Sequence, residues 1–126
     1  MTAQLEHANY TVSDPAATAA WMQIVFGWHI RWQGDAISGG HTVHVGTQNH
    51  YLALYKPDTA LSPKANNYSQ LAGLNHIAVV VDDLDTTEAA ILAHGFKTGS
   101  HADYEPGRRF YFHDEDGIEY EVVQYD

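Results

Sequence analysis

Two stretches of this 126-residue chain follow the same plan, and that duplication restricts its possible folds more than any other feature. Leu5-Glu6-His7-Ala8 runs on to Val12-Ser13-Asp14, and Leu74-Asn75-His76-Ile77 runs on to Val81-Asp82-Asp83. The step from histidine to aspartate is 7 residues in both. A repeated pattern of this kind marks one supersecondary unit used twice. Each strand-like run enters a helix-like segment that ends at glycine. The first helix starts at Asp14-Pro15, a capping aspartate followed by a proline suited to the first turn. It carries an apolar stripe through Ala20, Trp21, Ile24 and Val25 and stops at Gly27. The second starts near Asp85-Thr86, with Glu88 favourable in its first turn. It runs through Ala89, Ala90, Leu92 and Ala93 and stops at Gly95.

Three short strands follow each glycine. In the first half they are expected over 28–33, about 41–46 and 51–55, and in the second over 96–100, 109–113 and 120–125. The pairs Gly39-Gly40, Pro106-Gly107 and Asp116-Gly117 supply the turns between them. Gly27 to Ala53 and Gly95 to Glu121 each span 26 residues, so beyond the helix the halves align at an offset of 68. The reading is an α+β fold of two βαβββ modules related by pseudo-twofold symmetry, with curved mixed sheets forming a metal-containing cleft. Residues 1–126 make a single domain: module one about 4–57, a connecting loop about 58–72, and module two about 73–126.

Charge removes several function classes. Sixteen acidic residues against six Lys and Arg give a formal charge of −10. Such a surface repels phosphate backbones and anionic headgroups, so neither nucleic acid nor membrane is expected as a partner. Without cysteine there is neither a disulfide framework nor a thiolate metal site. No apolar run is long enough to span a bilayer, and the start of the chain does not read as a secretory signal, so a cytoplasmic location is expected.

Nine histidines matter only if some converge. His7 and His76 occupy equivalent positions in the first strands of the two modules, so both can face a shared cleft. Glu121 lies in the last strand of module two, which can pair beside the first. Two imidazoles and one carboxylate suit borderline divalent metals and leave positions open for water or substrate. His41, His44 and His50 also gather in module one, where a second metal site is not expected.

The segment Arg109-Phe110-Tyr111-Phe112-His113-Asp114-Glu115-Asp116-Gly117, followed by Glu121, resembles a motif of the vicinal oxygen chelate superfamily. That superfamily includes glyoxalases, extradiol dioxygenases, methylmalonyl-CoA epimerases, fosfomycin-modifying enzymes and bleomycin-binding proteins. The resemblance covers nearly the whole chain and implies that His7, His76 and Glu121 hold the metal. A fourth family ligand, where present, comes from the last strand of module one, but Ala53 stands there. That departure weakens the glyoxalase and epimerase readings and favours the two-histidine, one-carboxylate pattern of the dioxygenases. The fosfomycin readings lose ground on other residues. Only five positions follow Glu121, and Glu105-Pro106-Gly107-Arg108-Arg109 replaces a potassium-binding loop.

Strand alternation puts Arg109, Tyr111 and His113 on one face. The resemblance implies that Tyr111 is the pocket tyrosine, able to donate a hydrogen bond to substrate. By residue type and position, Arg109 can pair with a substrate carboxylate and His113, or else His101, can serve in acid–base chemistry. Asn9 and Thr11 share the face of His7, while Glu119 is expected to be solvated near a turn. The implied protein is a dioxygenase or a lyase/isomerase using Fe2+, Mn2+, Ni2+ or Zn2+ on a small substrate that chelates through adjacent oxygens. A homodimer is expected. The alternative is a bleomycin-resistance-type binding protein without catalysis.

Overall fold

The computed structural model describes residues 1–126. Its elements, in order, are β1 (His7–Thr11), α1 (Pro15–Phe26), β2 (His29–Asp35), β3 (His41–Gly46), β4 (Tyr51–Lys56), β5 (Ile77–Val80), α2 (Leu84–His94), β6 (Thr98–Tyr104), β7 (Gly107–His113) and β8 (Glu119–Tyr125). The chain divides into two compact units, Met1–Pro63 and Lys64–Asp126, each containing one βαβββ module. No helix is long and apolar enough to cross a membrane.

The first unit holds a four-stranded mixed sheet in the order β1-β4-β3-β2. β1 and β4 run parallel, while β4, β3 and β2 are antiparallel neighbours. α1 packs on one face of this sheet, against β3 and β4. Asp14 caps the helix, its carboxylate accepting from the Ala17 N–H at 3.1 Å. Gly27 ends it at φ 71°, a left-handed conformation in which a Cβ would be strained. Trp21, Met22, Val25 and Thr18 form the buried stripe, whereas Ile24 is exposed. The expected apolar stripe is therefore rotated: Trp21 and Val25 are inside, but Ala20 and Ile24 face water. Burial of Trp21 with its neighbours at 18, 22 and 25 sets the helix phase.

The second unit repeats this plan with the order β5-β8-β7-β6, β5 and β8 again being the parallel pair. Asp83 caps α2 through the Thr86 N–H at 3.0 Å, so the helix begins earlier than the sequence suggests. Leu84, Thr87 and Ile91 are its buried residues. The favourable first-turn acid is Asp85; Glu88 instead accepts from Thr98 and His101 on β6. Phe96 still donates its N–H to Ile91, tying it to the helix end, and β6 starts only at Thr98. Beneath α2 lie Phe110, Phe112, Tyr120 and Val122, all essentially inaccessible. Phe112 stacks on Tyr120 with centroids 5.2 Å apart.

The two units share a further detail. β2 shifts register between Ile30 and Trp32, and the matching strand β6 shifts between Gly99 and Ala102, where Ser100 takes φ 53°. An extra residue breaks strict alternation, so side chains beyond it change face.

Removing the first cap should have a modest effect, because one orphan helix donor loses its partner. Asp14→Ala is expected to cost about 1 kcal/mol in urea-induced unfolding. A change below about 0.3 kcal/mol would show that water replaces the cap without loss.

Candidate metal centre

On β8, Tyr120 and Val122 face α2, and alternation turns Glu119, Glu121 and Val123 to the opposite face. Both glutamates are buried, each 7% exposed. A buried carboxylate needs partners, because losing water without compensation is costly. Glu121 has two. Its Oε1 lies 3.1 Å from His76 Nε2, and its Oε2 accepts from Arg109 Nη1 at 2.8 Å. Tyr111 is directly across from Glu121 in the β7–β8 register. Its ring meets the His76 ring edge-on at 5.8 Å. Burial, and then the charge of Glu121, push the Tyr111 hydroxyl above its ordinary pKa. It stays a neutral donor at neutral pH.

The orientation of His76 is fixed from behind. Its Nδ1 is 2.6 Å from Asn75 Oδ1. With Nδ1–H donating to the amide oxygen, the neutral ring carries its lone pair on Nε2, facing the Glu121 carboxylate. Two acceptors in that position require a proton or a cation between them. Two donors at right angles, each about 2.1 Å from one ion, are about 3 Å apart. The observed 3.1 Å matches that separation, so His76 and Glu121 fit as neighbouring ligands of a divalent metal. Arg109 neutralises the other carboxylate oxygen, and its own Nε is buried without a hydrogen-bond partner. The Arg109 guanidinium also lies over the Tyr104 ring, 4.6 Å from its centroid.

His7 lies in the first unit, on β1. Its Nδ1 is 2.8 Å from Glu6 Oε1, the same arrangement that Asn75 provides for His76. In both units the residue before the histidine supplies the oxygen that selects the tautomer. Hydrogen bonding to His7 holds the Glu6 carboxyl below the usual range. His7 stacks on Tyr51 at 4.8 Å, Tyr51 stacks on His44 at 4.6 Å, and Trp32 meets His44 at 5.1 Å. Arg31 lies over Tyr51 at 4.3 Å. Ala53, opposite His44 in the β3–β4 register, occupies the place that Glu121 holds opposite Tyr111. The first unit therefore presents stacked rings where the second presents an ion pair.

The structure thus brings together His76, Glu121, Arg109 and Tyr111. No three His, Asp or Glu side chains come together in an arrangement able to hold an ion. His113 is exposed at the end of β7, in register with Glu119. His101 is on the helix side, 2.6 Å from Glu88 and near Phe110, because the β6 bulge turns it there. Asn9 and Thr11 both lie on the exposed side of β1, and His50 sits against Trp28.

One expectation is overturned. Glu119 is not solvated: its Oε1 accepts from Asn67 Nδ2 at 2.8 Å and from the Tyr68 hydroxyl at 2.6 Å. The connecting loop lies against it, something alternation within a strand cannot reveal. Asn75, Asn67 and Tyr68 carry no mark in the sequence reading. A signal for Asn75 exists nonetheless, since Glu6-His7 and Asn75-His76 are repeat-equivalent pairs of acceptor and imidazole.

The sequence matches the family model of the Glyoxalase/Bleomycin resistance protein/Dioxygenase superfamily over residues 4–122. No curated protein matches it. Among solved structures, it is similar to a glyoxylase/bleomycin resistance protein/dioxygenase domain from Frankia sp. EAN1pec. Identity there is 18% and the TM-score 0.84, over 100% of this chain and 94% of that one. TnmS3, an antibiotic binding protein from Streptomyces sp. CB03234, has 16% identity and a TM-score of 0.75, covering 99% and 98%. FosX, a genomically encoded fosfomycin resistance protein from Listeria monocytogenes, has 20% identity and a TM-score of 0.74, covering 100% and 96%. FosX has also been solved with Mn(II) and sulfate. At these identities the likeness is one of fold.

Proposed function

The chain belongs to the glyoxalase/bleomycin resistance protein/dioxygenase superfamily, and from that premise we propose that it is a divalent-metal-dependent enzyme acting on a small molecule with two adjacent oxygens. The observation that carries this reading is the contact of His76 Nε2 with Glu121 Oε1, with Nδ1 held by Asn75. His76 and Glu121 hold the ion in this proposal, and His7 supplies the third ligand, from this chain or from the first unit of a second copy in a homodimer. Bound there, a divalent ion supplies Lewis acidity toward the chelating oxygens, a contribution of several kcal/mol.

The chain's own groups then have distinct tasks. Arg109 holds Glu121 Oε2 and so fixes which carboxylate oxygen faces His76. Tyr111, kept protonated, donates a hydrogen bond to a substrate oxygen on which negative charge develops. His113, exposed to water, exchanges the proton that the reaction moves. With Fe2+ the set suits ring cleavage of a catecholate by dioxygen; with Mn2+, Ni2+ or Zn2+ it suits isomerisation, elimination or addition.

Metal analysis tests the proposal directly. Protein loaded separately with each of these four ions and then desalted should retain one of them stoichiometrically. His76→Ala should weaken that binding at least about 100-fold, since losing a ligand costs no less than losing a residue that orients one, which costs about 10–100-fold. A wild-type chain that retains none of the four removes the reading. A second reading, small-molecule binding without catalysis, is favoured by the stacked row His7–Tyr51–His44–Trp32 in the first unit. Tight binding of a planar cationic compound by metal-free protein, unchanged in His76→Ala, would select it.

A further inference from the structure

The strongest feature that the proposed metal chemistry leaves unused is the docking of the connecting segment onto β8. Asn66 turns the chain there: its Oδ1 accepts from the Tyr68 and Ser69 N–H groups, at 2.6 and 3.2 Å. Such an Asx-type turn fixes the two residues that follow it. Asn67 then spends both amide protons, one on Glu119 Oε1 at 2.8 Å and one on the Asn75 carbonyl at 2.9 Å. Tyr68 gives its hydroxyl proton to the same Glu119 oxygen at 2.6 Å. That bond, the first cause, and burial raise the Tyr68 pKa, so the donor persists through the neutral range. Lys64 adds a bond to the Leu74 carbonyl, which tethers the strand entrance from the same segment.

The consequence lies one residue further along. Asn75 is held by its backbone, through Asn67, and it holds His76 by its side chain. A continuous polar path therefore runs from Tyr68 and Glu119, through Asn67 and Asn75, to His76 and Glu121. Glu119 is buried, and it anchors both donors of the segment. The first unit arranges the matching place differently. There Tyr51, in register with His7, donates its hydroxyl to Glu6 directly, at 3.3 Å.

We infer that Asn67 and Tyr68 are positioning residues, and that the connecting segment sets the tautomer and orientation of His76 by clamping Asn75 and Glu119. The metal-related part of this inference rests on the proposed function; the orientation part does not. Loss of the clamp frees the Asn75 backbone, and its side chain no longer selects Nδ1–H on His76. The imidazole then populates the other tautomer, with its proton on Nε2 toward Glu121 and no lone pair left for an ion. Residues that orient metal ligands from behind typically change affinity by about 10–100-fold.

Two measurements on the full chain separate the possibilities. Long-range 1H–15N spectra of metal-free protein, with the His76 signal assigned through His76→Gln, report the tautomer directly. Wild type should keep a proton on Nδ1, whether or not a second is shared between Nε2 and Glu121, and Asn67→Ala and Tyr68→Phe should each shift the population toward the ring protonated on Nε2 alone. Titration with Zn(II) alone, at a temperature at which each variant is fully folded, should show affinity lowered by about 10-fold or more in the same variants. Tyr68→Phe removes one hydroxyl only, and so keeps the test valid if Asn67→Ala folds poorly. An unchanged tautomer in both variants overturns the inference, whatever the metal result. A wild type that binds no Zn(II) but shows the tautomer shift sinks the metal reading and keeps the clamp.

Discussion

Glu121→Leu is expected to destabilise the metal-free protein by about 3–5 kcal/mol, the usual cost of breaking one side of a buried ion pair. The Arg109 and Glu121 side chains are only 13% and 10% exposed, so water cannot replace the lost partner. Leucine leaves the guanidinium facing an apolar side chain, with an Nε that already has no acceptor. Stacking on Tyr104 offsets part of that loss but provides no acceptor. For a domain of this size the melting temperature should fall by roughly 10 °C or more. Arg109→Met should cost less, because Glu121 keeps His76 as a partner. The double variant Arg109→Met/Glu121→Leu should recover most of the stability, since an apolar pair of similar volume avoids both desolvation penalties. Unfolding in the presence of a chelator separates this from any metal effect. If Glu121→Leu comes within about 1 kcal/mol of wild type, the pair is far more hydrated than its burial indicates.

The second large effect is a pH dependence set by Asp114. This carboxyl, at the turn between β7 and β8, is buried, which pushes its pKa up to about 6. The Ile118 and Asp116 N–H groups and the Tyr120 hydroxyl donate to it and offset only part of the burial. Unfolded, the group titrates near the ordinary aspartate value of 3.8. Between those values the native state binds more protons than the unfolded state, so stability falls as pH rises. The favourable contribution is complete below the unfolded value and is lost as pH rises through about 6. The difference corresponds to about 3 kcal/mol at 1.36 kcal/mol per unit. Other carboxyls, such as Glu6 and Asp83, are shifted the opposite way, so the total profile mixes both signs. Asp114→Asn isolates the effect: its amide oxygen still accepts from Asp116 and Ile118, and no charge develops. The stability of the wild type, measured relative to this variant, should drop by about 3 kcal/mol between roughly pH 3.5 and 7.5. A flat difference across that range would mean that the hydrogen bonds fully compensate burial.

Much of the site is legible in the sequence because the module is written twice. The equivalence of His7 with His76 and of Ala53 with Glu121 needs only counting, and the parity of Arg109, Tyr111 and Glu121 follows from pleating. The family motif around residues 109–121 adds the expected fold, and the match over residues 4–122 shows it. Glu119 and His101 escape such a reading for two physical reasons. Glu119 has the right parity, but its partners come from a loop 51 and 52 residues away in sequence. His101 lies within a bulge, between Gly99 and Ala102, where the extra residue breaks the alternation from which a face could be assigned.

Sequence alone determined the βαβββ order, the helix caps at Asp14 and Gly27, and the β8 face that carries the Glu121 carboxylate, because each depends on short-range periodicity and backbone preference. His76, expected within a strand, falls just before β5, which begins at Ile77. Tertiary structure decided the phase of α1, the burial of Glu119 beneath the connecting segment, and the pairing of Arg109 with Glu121. Those depend on which side chains exclude water from one another across distant parts of the chain. Local pattern can aim a side chain, but only packing determines what it meets.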